Sequence, residues 1–224
     1  MLVDCGDGIS RALLNLNINF NSIDCILISH LHSDHYTGLP SLLTQMKLTG
    51  RNKVLSVFVH SMEKDFIEDF IFHSYLFKER MSFELKIIPF DEEREIIFTE
   101  KFNFIARLNS HLDKYKKYDA ENKLGFASLS FLFKDEENYL IYSSDIGTEK
   151  DLYLFNQKVD CYITETTHIK VENLTEVFEN LNPGKLILTH IGEDFEESLE
   201  QYLESLPKKL KSRIILAFDG LELS

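Results

Sequence analysis

With 224 residues, 44% hydrophobic and 27% charged, the chain can bury a sizeable core and has the balance of a folded globular protein. No apolar run approaches bilayer-spanning length and no charged start leads into a signal-peptide core, so a cytoplasmic protein with no membrane partner is expected. A formal net charge of −13 argues against the basic face that holds a polyanion, so long nucleic acid is expected to be a poor partner.

Met1 to Gly8 reads as the end of a strand entering a glycine-rich turn, and Ile9, Leu13, Leu14 and Leu16 recur at helical spacing. Cys25-Ile26-Leu27-Ile28 is a short apolar strand that launches Ser29-His30-Leu31-His32-Ser33-Asp34-His35. Three imidazoles and a carboxylate packed this closely are ligands suited to zinc and its neighbours. At strand-like spacing His30 and His32 share a face, because side chains alternate. Asp34 and His35 then fall on a turning backbone, where they can face a second centre. A histidine-rich surface loop is the bland alternative; a structural zinc site would usually include cysteine, and none lies near.

Thr37-Gly38-Leu39-Pro40 opens a helix through Leu48, with Pro40 tolerated in its first turn. Val54 to Val59 is a strand by its β-branched and aromatic content. Phe66, Ile67, Phe70, Ile71 and Tyr75 predict an amphipathic helix over 62–77. Strands are expected over 83–90, 95–99 and 102–108, the last ending in Asn109-Ser110-His111. A hairpin pairs 128–133 with 139–143 around Lys134-Asp135-Glu136-Glu137-Asn138, and Asp145 follows it directly. A helix over 148–155, a strand over 160–164, a helix over 172–180 and a strand over 186–188 lead to His190. An acidic outer helix over 193–204 and a strand over 214–218 close the chain, which reads as one domain. Cys5, Cys25 and Cys161 are odd in number, far apart and in or beside apolar runs, so reduced buried thiols are expected rather than disulfides.

His111, Asp145 and His190 each stand just after an apolar run. Singly, each has a plain explanation, since strand-end aspartates usually cap turns and a lone histidine is usually not a ligand. His60, at a strand end, is as well explained by structure as by function, and His73 by a place on its helix.

The pattern His30-x-His32-x-Asp34-His35 after a hydrophobic strand, with separate matches at Asp4, His111, Asp145 and His190, resembles the metallo-β-lactamase fold superfamily of dinuclear hydrolases over nearly the whole chain. The resemblance implies an α+β fold, a four-layer αβ/βα sandwich of two mixed sheets back to back with helices outside. That family carries one or two further strands ahead of the Asp4 position, so one sheet is expected to lack its first strands. The resemblance assigns His30, His32 and His111 to one ion and Asp34, His35 and His190 to the other, with Asp145 bridging. It gives Asp4 the role of supporting the metal loop. It implies two divalent ions, zinc first, with manganese or iron as alternatives. Two ions about 3.5–4 Å apart lower the pKa of a shared water toward about 7, and Asp34 would orient that nucleophile.

The stretch from Ser29 to Pro40, the sequence Leu2-Val3-Asp4-Cys5-Gly6 and the loop Thr164 to His168 look closest to the ribonuclease Z and cyclic-phosphate phosphodiesterase branch. Phosphodiesterases of that branch carry a non-ligand histidine facing the metals, which gives His168 a catalytic role beside Asp34. Ribonuclease Z places a tRNA-clamping arm between the positions of His111 and Asp145, which here stand only 34 positions apart. It also carries His-Glu-Ala-Thr where this chain has Thr164-Glu165-Thr166-Thr167. A small or cyclic phosphodiester is therefore the expected substrate. Lys114, Lys116 and Lys117, interleaved with Tyr115 and Tyr118, would hold its phosphate and stack its base; a solvated loop is the alternative. Ribonuclease Z-like RNA processing, thioester, lactone or β-lactam hydrolysis, and an inactive metal-binding module stay open, as does a homodimer. His32 argues against the diiron redox members, which have glutamate there.

Overall fold

The structure, a computed structural model, describes residues 1–168, 173–192, 199 and 201–223. It divides into two compact units, residues 1–91 with 121–127, and residues 92–120 with 128–224.

The first unit is built on four strands in the order β1 (Leu2–Val3), β2 (Cys25–Leu27), β3 (Leu55–His60) and β4 (Leu85–Phe90), every pair parallel. Here the expectation of two mixed sheets is corrected. Each connection in this unit is a crossover carrying helix: α1 (Ile9–Asn15), α2 (Ser33–Tyr36) with α3 (Leu39–Leu48), and α4 (Lys64–His73). Such connections return the chain in the same direction, whereas a tight hairpin reverses it. Successive residues of β2 point to opposite faces, yet all three are fully buried, which is why this strand reads as an unbroken apolar run.

α3 buries Leu39, Leu42, Leu43 and Met46, an i, i+3, i+4, i+7 stripe, behind a proline in its first turn. Each such side chain contributes about 1.5–3 kcal/mol on burial. α4 is shorter than the spacing predicts. A 3₁₀ turn over Ser61–Glu63, capped by the His60 ring accepting Met62 N–H, takes up the entry. Tyr75, at φ 59° and 82% exposed, lies beyond the exit. Ile67 and Ile71 alone are buried on this helix.

Among the described residues, the second unit holds seven strands, hydrogen-bonded in the order β11-β10-β9-β8-β7-β6-β5. Their ranges are β5 (Glu95–Ile97), β6 (Phe102–Leu108), β7 (Leu129–Asp135), β8 (Asn138–Tyr142), β9 (Cys161–Glu165), β10 (Lys185–Thr189) and β11 (Ile214–Leu216). β5 to β8 pair antiparallel and β8 to β11 parallel. It follows that β6, β8, β9 and β10 run the same way and end on one edge. α5 (Asn173–Asn180) buries Leu174, Val177 and Phe178 against this sheet's core. The helix expected over 148–155 is instead a 3₁₀ turn, Glu149–Tyr153. The acidic helix expected over 193–204 falls largely on residues outside those described, though Leu199 and Leu203 are buried.

All three cysteines are free; Cys5 and Cys25 are fully buried and Cys161 half-buried. Burial, with the Asp4 charge adding to it, pushes the Cys5 thiol up to about 12, and burial pushes Cys25 up to about 11. Because the thiolate is the reactive form, the native protein at pH 8 should modify Cys5 and Cys25 only as fast as it unfolds, and all three should react in denaturant. Immediate titration of all three in the native state would contradict this. Among the described residues no helix is long and apolar enough to cross a membrane.

Candidate metal centre

In the first unit the chain leaves β2 at Leu27, earlier than predicted, and His32, still extended at φ −72° and ψ 145°, caps the short helix α2 that carries Asp34 and His35. Asp4, itself left-handed at φ 62°, reaches this loop with its carboxylate. Its Oδ1 accepts the Ser29 amide at 2.7 Å, and its Oδ2 accepts the Ser29 hydroxyl at 2.9 Å and His35 Nδ1–H at 2.8 Å. With its own proton given to Asp4, the Ser29 hydroxyl accepts His30 Nδ1–H at 3.0 Å. Both rings are thereby set in the tautomer with the proton on Nδ1 and the lone pair on Nε2, the form in which Nε2 could ligate a metal and the usual work of outer partners.

His30 Nε2 lies 3.2 Å from His32 Nδ1. Two imidazole nitrogens on one tetrahedral ion at about 2.0–2.1 Å stand about 3.3 Å apart, so the pair has the spacing of co-ligands. His35 Nε2 lies 3.6 Å from Asp34 Oδ2, whose side chain is 62% exposed. His30 and His35 are buried, their ring centroids 3.9 Å apart.

Gly6 lets the Asp4 turn press on this loop, since a Cβ there would lie 1.8 Å from the Asp34 carbonyl oxygen. Gly6→Ala must therefore displace α2. It is expected to cost about 1–3 kcal/mol or more in thermal stability and to weaken zinc binding. Wild-type affinity in this variant would contradict the arrangement.

In the second unit His111 follows β6, Asp145 follows β8 and His190 follows β10, on the shared edge. His111 Nδ1 donates to the Ile146 carbonyl at 3.2 Å, which turns its Nε2 to Asp145 Oδ2 at 3.7 Å. The other carboxylate oxygen, Oδ1, lies 3.0 Å from His190 Nδ1. One buried carboxylate thus offers a separate oxygen to each of two histidines, the arrangement a bridging ligand needs. Imidazole nitrogens and carboxylate oxygens gathered this closely are a donor set that suits a divalent ion.

His168, after β9, joins this group: its ring centroid is 5.0 Å from that of His111 and 6.4 Å from that of His190. Its Nδ1 donates to Glu165 Oε1 at 2.9 Å, and Glu165 Oε2 accepts the amides of Thr167 at 2.6 Å and His168 at 2.9 Å. Sequence reasoning passed over Glu165, although its place three residues before His168 was the available signal. It also passed over Asp151, whose Thr148-x-x-Asp151 spacing is a capping signature.

His60 caps the turn into α4 and packs edge-on against Phe90, and the exposed His73 donates to Asp69 O at 2.8 Å. Lys114, Lys116 and Lys117 lie in an exposed 3₁₀ helix, Asp113–Tyr118. Lys114 sits over Tyr115 and Lys117 over Tyr118, while Lys116 pairs with Asp113 at 2.6 Å.

A protein-family profile described as Anti-Pycsar protein Apyc1 matches residues 1–206. The chain belongs to the Anti-Pycsar protein Apyc1 family. Ribonuclease Z of Archaeoglobus fulgidus is 23% identical over 265 aligned positions, covering 96% of this chain and 85% of the relative. The metallo-β-lactamase fold protein YhfI from Bacillus subtilis superposes with a TM-score of 0.69 at 17% identity, covering 98% of this chain and 84% of its own. The short form of human tRNase Z gives 0.69 at 19%, covering 99% and 86%. This Apyc1-family chain has the metallo-β-lactamase fold, and its relatives lie toward the ribonuclease Z branch, as the motif resemblance implied. The same relatives overturn the expectation that long nucleic acid is a poor partner, because enzymes named for RNA and tRNA match nearly the whole chain. Net charge averages over the whole surface and says little about a local basic strip such as 114–117.

Proposed function

We propose that this metal-dependent hydrolase is a dinuclear phosphodiesterase whose substrate is a small or cyclic phosphodiester. His30, His32 and His111 would hold one ion, Asp34, His35 and His190 the other, and Asp145 both, with zinc the first candidate for this set. The observation that carries the reading is Asp145, each of whose oxygens faces a different histidine. When bound, the ions supply an acidified water and positive charge beside the phosphoryl oxygens.

The chain's own groups do the rest. Asp34, with an exposed carboxylate, orients the attacking water. Glu165 holds His168 by Nδ1, so that Nε2 can carry a proton to the leaving alkoxide. Lys114 and Lys117, held over their tyrosines, give a phosphate and a base something to bind. A compact substrate is supported by residues 109–128, which contain one six-residue 3₁₀ helix between β6 and β7 and no strand.

A second reading, ribonuclease Z-like RNA processing, is favoured by the ribonuclease Z relatives. Zinc- or manganese-loaded protein should be offered 2′,3′- and 3′,5′-cyclic nucleotides, a tRNA precursor with a 3′ trailer, bis-p-nitrophenyl phosphate, a lactone, a thioester and a β-lactam. Turnover of a cyclic nucleotide well above the others is the expected result. Preference for the precursor would move the assignment to RNA, and failure on every phosphodiester would reject it.

A further inference from the structure

Asp151 is only 8% exposed and has no part in the chemistry above. Its Oδ2 accepts from Ser110 Oγ–H at 2.7 Å, Gly147 N–H at 3.0 Å, Thr148 N–H at 3.1 Å and Ser110 N–H at 3.2 Å. Ser110 immediately precedes His111, and Gly147 and Thr148 follow Asp145 closely. A single oxygen therefore ties together the loop carrying His111 and the loop carrying Asp145. The two loops are in close backbone contact there, since a Cβ on Gly147 would meet the Ser110 carbonyl oxygen at 2.4 Å.

Capping explains only part of this. Thr148 and Asp151 close a reciprocal box at the start of the 3₁₀ turn, which accounts for the bond from the Thr148 amide. The two bonds from Ser110 belong to no cap; they come from another loop of the sheet edge.

We propose that Asp151 is a positioning residue that sets the distance between His111 and Asp145 and thereby the affinity of the metal they hold. The proposal rests on the metal reading above. Outer partners of this kind are worth about 10–100-fold in metal affinity. Asp151→Asn would set a neutral amide oxygen in place of the charged acceptor that faces three N–H donors and a hydroxyl, weakening each bond, and Ser110→Ala would remove a single hydroxyl donor with little risk to folding. Thr148→Ala disturbs the same cap without touching Ser110, and serves as the control.

The test is titration of metal-free full-length protein with cobalt(II), read by its visible ligand-field absorption, beside thermal melts of the metal-free forms. Asp151→Asn and Ser110→Ala are expected to weaken cobalt binding at least about tenfold and to shift the band. Thr148→Ala is expected to lower the melting midpoint while keeping wild-type affinity and spectrum. Wild-type affinity and spectrum in Ser110→Ala and in any folded Asp151→Asn would overturn the proposal, as would equal weakening in Thr148→Ala. A wild-type protein that takes up no cobalt would instead overturn the metal reading, and this inference with it.

Discussion

Asp145→Ala should purify with at most one metal ion per chain and lose phosphodiester turnover by roughly three orders of magnitude or more, as expected when the group that stabilises charge in the transition state is removed. The reasoning is local. His111 is turned by the Ile146 carbonyl so that its Nε2 meets one oxygen of Asp145, and His190 meets the other. On the proposed assignment, loss of the carboxylate would deprive both ions of a ligand and both histidines of their shared anion. The effect should exceed the roughly 10–100-fold in affinity that losing an outer partner costs. Elemental analysis after zinc loading checks it. Two ions retained in Asp145→Ala would contradict the bridging role, whatever happened to activity.

His168→Ala is expected to leave metal content unchanged and to slow esters with alkyl leaving groups by about 10²–10⁴-fold, the usual worth of a general acid. p-Nitrophenyl esters should slow far less, because p-nitrophenolate departs without a proton. The ring is suited to this task because Glu165 takes its Nδ1–H, and because it stands beside the rings of His111 and His190. Glu165→Gln should move both substrates in the same direction by a smaller factor. Equal slowing of alkyl and p-nitrophenyl esters in His168→Ala would reject proton donation.

The two predictions draw on different parts of what the sequence made legible. The ligand candidates announced themselves because loops at strand ends carry chemistry just past apolar runs, and His30 to His35, His111, Asp145 and His190 all stand in such places. The support from Asp4 was legible only through resemblance, since nothing in its neighbourhood says that it reaches Ser29 and His35. Glu165 and Asp151 were missed because their partners come from backbone amides and from other loops, which no residue pattern records. The overlong prediction for α4 came from the helical spacing of Tyr75 with Ile71, when Tyr75 lies past the helix end, left-handed and exposed. The all-parallel first sheet was readable from its helical crossovers, but the family pattern was followed instead. The misjudged nucleic-acid partner shows the same weakness at the scale of the molecule, where a global sum stood in for a local surface.

The central claim is the proposed assignment of seven histidines and aspartates to a pair of metal ions. Anomalous diffraction at the zinc edge from crystals of zinc-loaded protein tests it most directly. Two peaks are predicted, one held by His30, His32, His111 and Asp145, the other by Asp34, His35, Asp145 and His190. A single peak, or no peak at these residues, would contradict the account.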